Sequence, residues 1–391
     1  MMRHPLAYIV LGGMLLLAAA SRSTACPFCA QAGKTLLEEV NDADMVMYGS
    51  FNNQRSVDGG DVVDFQIESV VKSHDAIKDK KVITLQRYVR DVGKDQRWLA
   101  FCTMHKGKID LYMAQLVSAD SGIDKYLTQA LQYQDRKKEP AKRLRFFFDY
   151  LDNPEPEIAN DALKEWSLAD YKDYGDLAKD LPADKLTKWL SDPKTPPLRI
   201  GLYASLLGHC GKQDHAAEHL ALLKKMANDP AERATMGLDG ILAGYILLDP
   251  KDGWKALSDI LSAPKLSFYA RNAALRTARF FWDIRTDVIS KEQIVTGVCQ
   301  LLDQSDIADF AINDLTKRDE WGPLEEILAL DTKPSHDIAI IHRAILRYAL
   351  SVPQDKDSKG LAKQFVEKKR EKDPDWVRQA EDLLKLERQR K

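Results

Sequence analysis

Tyr269-Ala-Arg271-Asn-Ala-Ala-Leu275 and Ile341-His-Arg343-Ala-Ile-Leu346 share one pattern, a polar residue in a first helical turn followed by small and aliphatic side chains. Four more segments align with them: Pro156-Glu-Ile-Ala-Asn160-Asp-Ala-Leu163, Pro197-Leu-Arg199-Ile-Gly-Leu202, Ala231-Glu-Arg233-Ala-Thr-Met236 and Ile307-Ala-Asp309-Phe-Ala-Ile312. The equivalent positions Asn160, Arg199, Arg233, Arg271, Asp309 and Arg343 are spaced by 39, 34, 38, 38 and 34 residues. A period of about 37 residues is the length of two helices with their turns. A lone helix pair cannot bury its apolar face, so such units stack. The breaks Asp192-Pro193, Asp229-Pro230, Asp249-Pro250, Ala263-Pro264 and Asp373-Pro374 punctuate the helices, because proline lacks the helical N–H and disfavours the α region in the residue before it.

Arginine at four of the six register positions, followed by small and aliphatic residues, resembles HEAT-like repeats over about Lys142–Leu386. The resemblance implies an all-α solenoid of about six helix pairs within residues 142–391 and assigns no activity.

Upstream of residue 120 the period is two. Met45–Phe51, Val62–Val71, Lys81–Tyr88, Arg97–Thr103 and Ile109–Leu116 alternate in polarity, are rich in β-branched and aromatic residues, and are separated by turns such as Asp58-Gly59-Gly60 and Lys106-Gly107-Lys108. Five strands so close together predict a small all-β barrel or sandwich over residues 26–120. Ala30–Val40 predicts a short helix before them. Residues 121–141 read as a helix, Gly122–Tyr133, and a charged linker, Gln134–Ala141.

The first 25 residues have the layout of a secretory signal: Arg3 near the start, an apolar run Leu6–Ala20, then small residues to Ala25. Cleavage after Ala25 would leave Cys26 at the N-terminus and export the chain to a periplasmic, cell-envelope or extracellular site. A lipid anchor on Cys26 is the alternative form. No later segment has the roughly 20 apolar residues of a membrane span. The chain has 391 residues, 45% hydrophobic and 30% charged, a soluble composition. Loss of Arg3 and Arg22 with the signal leaves 59 acidic against 55 basic side chains, a formal charge of −4. Nothing in that balance attracts nucleic acid. The run Lys368–Lys372 is offset by Glu367, Glu371, Asp373 and Asp375 and reads as a solvated helix face.

Cys26-Pro27-Phe28-Cys29 ahead of a helix resembles the redox motif of thioredoxins and glutaredoxins. That fold needs a strand before the motif and a proline facing it, and no proline lies between Phe28 and Glu139. Oxidoreductase chemistry at Cys26 and Cys29 is therefore an alternative reading, and Ala30 excludes haem attachment. The favoured expectation is structural: one of Cys26 and Cys29 pairs with Cys102 in an exported, disulfide-tied domain. A second alternative is a zinc hydrolase using His215-Ala-Ala-Glu218-His219, whose histidines at i and i+4 share a helix face, with His209 and Cys210 near them. The same helix carries ordinary packing residues and puts His215 and His219 on its flank, so metal ligation by them is secondary, and no cofactor is expected. Cys210 and Cys299 are expected to be buried thiols, and Phe146–Phe148 and Phe280–Trp282 to be interior packing.

The cysteine at residue 26, Asn41-Asp-Ala-Asp44-Met-Val-Met-Tyr48-Gly49, Val63-Asp-Phe-Gln-Ile-Glu-Ser-Val70-Val-Lys-Ser and Cys102 together resemble the netrin-like module of the tissue inhibitors of metalloproteinases. That resemblance spans about Cys26–Asp120 and implies an OB-type barrel. Those inhibitors act through a Cys-x-Cys start, whereas this chain has Cys-x-x-Cys, so the fold carries over and the inhibition does not. As a whole, the chain resembles secreted bacterial proteins that join a Cys-Pro-Phe-Cys start to a helical repeat array, a family that implies no activity. The expectation is an exported, non-catalytic protein whose helical surface binds a protein or envelope partner.

Overall fold

The computed structural model describes Phe28 and residues 33–90, 92–93, 95–212, 216–229 and 237–389. A short helix, α1 (Leu36–Asp42), leads into five strands: β1 (Met45–Val57), β2 (Gly60–Lys72), β3 (Val82–Leu85), β4 (Arg97–His105) and β5 (Lys108–Val117). Helices follow to the end of the described chain. The first group is α2 (Ile123–Ala130), α3 (Pro140–Phe148), α4 (Pro156–Ser167), α5 (Tyr171–Tyr174), α6 (Ala183–Ser191), α7 (Pro197–Cys210), α8 (Ala216–Asn228) and α9 (Leu238–Leu248). The second is α10 (Pro250–Leu261), α11 (Phe268–Ile284), α12 (Lys291–Cys299), α13 (Ala308–Lys317), α14 (Leu324–Ala329), α15 (Ala339–Ser351), α16 (Leu361–Lys372) and α17 (Pro374–Gln389).

The strands form one antiparallel sheet in the order β3-β2-β1-β4-β5. Alternation sorts their side chains into two cores, as the pleat requires. Val46, Tyr48, Leu99 and Phe101 face the helices, while Met45, Met47, Phe65, Ala100, Cys102 and Leu111 meet Ile77 and Val89 on the other face. That second core needs no helix because the sheet curls over it. The expected closed barrel is not formed: β3 and β5 approach each other but do not pair, and each hydrogen-bonds on one side only. The rim between them is lined by His105 and by Lys80, Lys106 and Lys108, lysines of the kind that keep sheet edges apart.

Helix α1 starts six residues later than the segment Ala30–Val40 suggested. Thr35 caps it with a capping box, its hydroxyl accepting from the Glu38 N–H while the Glu38 carboxylate accepts from the Thr35 N–H.

In the helical part, alternate helices pack on each other: α7 on α9, α9 on α11 and α13 on α15. The α7–α9 contact brings the two backbones together. A Cβ at Gly240 would lie 1.9 Å from the Gly201 carbonyl oxygen, and one at Gly244 would lie 2.1 Å from that of Ala204. Polar ties between neighbouring units recur at two close sequence separations: Arg271–Asp306, Arg279–Asp314 and Arg318–Asp283 each span 35 residues, and Arg276–Asp239 spans 37.

Gly240→Ala should destabilise the protein by about 2 kcal/mol or more. The roughly 1 kcal/mol gained in helix propensity is outweighed by overpacking against a backbone that cannot give way. Gly322→Ala, where an added Cβ meets nothing, should stay within about 0.5 kcal/mol of wild type. Urea denaturation of the two variants checks both values.

Candidate functional site: a cleft at the C-terminal end

The register residues do not converge on one site. Arg199 donates to the Leu151 carbonyl and to Asn160, tying α7 back to the preceding helices at 3.0 and 3.3 Å. Arg271, 3% exposed, reaches forward to Gln304 at 2.8 Å and forks onto Asp306 at 2.8 and 2.5 Å. Asp309 is buried, and burial raises its carboxyl above the usual range. Arg343 is exposed at the start of α15. Arg233 lies outside the described residues. Arg271→Ala should cost about 3 kcal/mol, because it strands Gln304 and breaks a partly buried ion pair. Arg343→Ala should cost under about 0.5 kcal/mol, and urea midpoints distinguish them.

The expected partners of Cys102, Cys26 or Cys29, fall outside the described residues, and among the described residues Cys102 is unpaired. Its thiol is fully buried among Met45, Met47 and Leu111, on the sheet face turned from the helices, and burial pushes it up to about 12. Phe28, between Cys26 and Cys29 in the sequence, is buried in the helical core, edge-on to Phe280 at 5.0 Å. Close to it, Tyr171 stacks edge-on against Phe280 and hydrogen-bonds the Nε2 of His209 at 2.9 Å. Burial holds His209 down to about 4, so the ring is neutral: Nδ1–H donates to the Ser205 carbonyl, and Nε2 accepts from Tyr171. Cys210 and Cys299 are thiols pushed up to about 12 by burial.

His219 is not the flanking residue that its helical pattern suggested. It is 1% exposed, with Nδ1 at 3.1 Å from the Gly211 carbonyl and Nε2 at 3.6 Å from Asp184. Its ring ties α8 to the end of α7. His215 lies outside the described residues.

Side chains that touch α1 make a second polar cluster. Asp161 of α4 accepts from the Leu36 N–H at 2.5 Å and from the Tyr126 hydroxyl at 2.7 Å. Arg143 and Glu165 form a buried ion pair beside it, and Arg136 reaches Glu38 at 2.8 Å and Glu165 at 3.6 Å. Burial raises the Asp161 carboxyl to about 6, against the pull of its hydrogen bonds and of Lys164 and Arg143. A raised acid favours the folded state most below its unfolded pKa, and that contribution is lost as pH rises through the folded value. Relative to Asp161→Asn, the wild type should therefore gain about 2–3 kcal/mol between pH 7 and pH 4. Paired thermal melts across that range check the difference.

The cleft that sequence reasoning missed lies where the 3-10 turns Leu330–Thr332 and Pro334–His336 and helix α15 meet α16 and α17. It has a volume of about 930 Å3. Phe365, Lys368, Lys369 and Lys372 recur at helical spacing along one face of α16, and Trp376 of α17 extends that wall. The opposite wall holds Leu328, Lys333, Pro334, Ala339, His342 and Arg343. Asp331 anchors the floor, accepting from His342 Nδ1 at 2.9 Å and from Lys369 Nζ at 2.7 Å. The second ring nitrogen of His342 meets Asp337 at 3.0 Å. Lys369 also lies over the rings of Phe365 and Trp376, at 5.3 and 5.8 Å. The run Lys368–Lys372 is thus one wall of a cleft and not only a solvated helix face. Among the described residues no group of His, Cys, Asp and Glu is arranged to hold a metal ion, and no helix is long and apolar enough to cross a membrane.

No protein-family model, curated protein or solved structure matches this chain.

Proposed function

We propose that this is an exported, non-catalytic binding protein whose helical array, of HEAT-like kind, recognises a protein or cell-envelope partner, with the curled sheet as an OB-like unit before it. The alternate packing of helices and the ties at separations of 35 and 37 residues support the array reading. The apolar run ahead of Cys26 supports export. The observation that carries the binding reading is the C-terminal cleft, where apolar and aromatic walls open to solvent beside cations. Clefts of a few hundred to about 1,000 Å3 with a few placed polar groups are the usual form of a binding site. Exposed Tyr269, Phe310 and Ile340, in the first turns of α11, α13 and α15, extend apolar surface at the starts of these helices.

A photoreactive amino acid placed at Arg343 or Lys372 in producing cells should give a discrete adduct with a second macromolecule in the exported fraction. The same group at exposed Lys251 of α10 should give none. Adducts that do not distinguish cleft from control, or a chain retained inside the cell with its first 25 residues, would overturn the reading.

A further inference from the structure

The cleft has separate inner and outer chemistry. On the floor, charge is already matched: Asp331 takes both Lys369 and His342, and Lys333 pairs with Asp303 at 2.6 Å. At the mouth, Arg343, Lys368 and Lys372 are exposed and have no hydrogen bond or ion pair among the described residues, while the two exposed carboxylates there are engaged, Asp337 with His342 and Asp373 accepting from the Trp376 N–H. Between mouth and floor stand Phe365, Trp376, Leu328 and Pro334, half-buried or turned into the cleft. A ligand that satisfies this arrangement carries an apolar group flanked by negative charge.

We propose that the cleft binds a short acidic segment of a partner protein, one apolar side chain of the segment seated against Phe365 and Trp376 and its carboxylates at Arg343, Lys368 and Lys372. The proposal rests on the binding reading above and names the partner's chemistry. Exposed cations unpaired among the described residues attract opposite charge and reject basic ligands. The aromatic wall adds affinity only for a ligand that also brings apolar surface, which sets an acidic peptide with a hydrophobic anchor apart from a simple anion. A long polyanion fits less well. Beyond the mouth it would run onto Glu367, Glu371 and Asp375, exposed on α16 and α17, and like charges there repel it. The whole chain carries a formal charge of −2, so the attraction is local to the cleft.

A randomised heptapeptide phage library selected on the full chain tests this. The expected result is enrichment of peptides with two or more acidic residues beside an aromatic or aliphatic one. Binding of the selected peptides should weaken at least tenfold in the Lys368→Glu/Lys372→Glu double variant, and should weaken as salt is raised. Both substituted residues are exposed, so the melting temperature should be unchanged; Arg343→Glu gives a second variant on the opposite wall. No enrichment, enriched peptides without acidic residues, or affinities indifferent to both variants would overturn the proposal. If the selection fails while cellular adducts at Arg343 and Lys372 persist, the acidic-peptide assignment falls and the binding reading stands. If both fail, both fall.

Discussion

Helix α1 is held at both ends by different parts of the molecule, and this bracket fixes the sheet against the helices. Its first turn leaves backbone N–H groups without helical partners, and one of them, on Leu36, donates to the buried Asp161 of α4. Its last turn leaves carbonyl groups without partners, and Lys72 of β2 donates to those of Val40, Asn41 and Ala43. A seven-residue helix is too short to be stable by propensity alone. It exists because a carboxylate from the helical part and an ammonium from the sheet complete its ends. Tyr126, bonded to the same carboxylate, brings α2 into the junction.

The consequence is one continuous core. Sheet residues Val46, Tyr48, Leu99 and Phe101 belong to the same buried cluster as α4, α7 and α9, and that cluster runs on to Val366 and Val377 beside the C-terminal cleft. Phe28 enters the same core against Phe280. The Cys102 thiol lies on the opposite face of the sheet. Packing and hydrogen bonds hold the described part of the N-terminal segment to the body of the protein.

How far the sequence revealed this follows from the range of each interaction. The strands were legible because alternation is local: Met45–Phe51 lies inside β1, and Arg97–Thr103 inside β4. Closure of the barrel was not, because it depends on whether β3 and β5 pair across a gap that no local pattern encodes. The first-turn register at Arg199 and Arg271 was legible, but its use was not. Arg199 points to the preceding helices, Arg271 to the following ones and Arg343 to solvent, according to what the neighbouring helix offers. Lys369 looked solvated because the carboxylate that takes it, Asp331, lies 38 positions earlier. The spacing Phe365, Lys368, Lys369, Lys372, Trp376 was the available signal, since it puts cations and aromatics on one stripe, but balancing the charges residue by residue hid it. His219 was misjudged for a similar reason: its partners, Asp184 and Gly211, sit outside its own helix.

The central claim is that the bracket at α1 makes the sheet and the helices one cooperative unit. Three free thiols report on it directly: Cys102 in the sheet core, Cys210 in α7 and Cys299 at the end of α12. Thiol labelling of the full chain across a urea gradient, read by mass spectrometry at each cysteine, follows sheet and helices separately in one sample. The account predicts that Cys102 and Cys210 become reactive at the same urea concentration. Labelling of Cys102 at clearly lower urea, with Cys210 still protected, would contradict it.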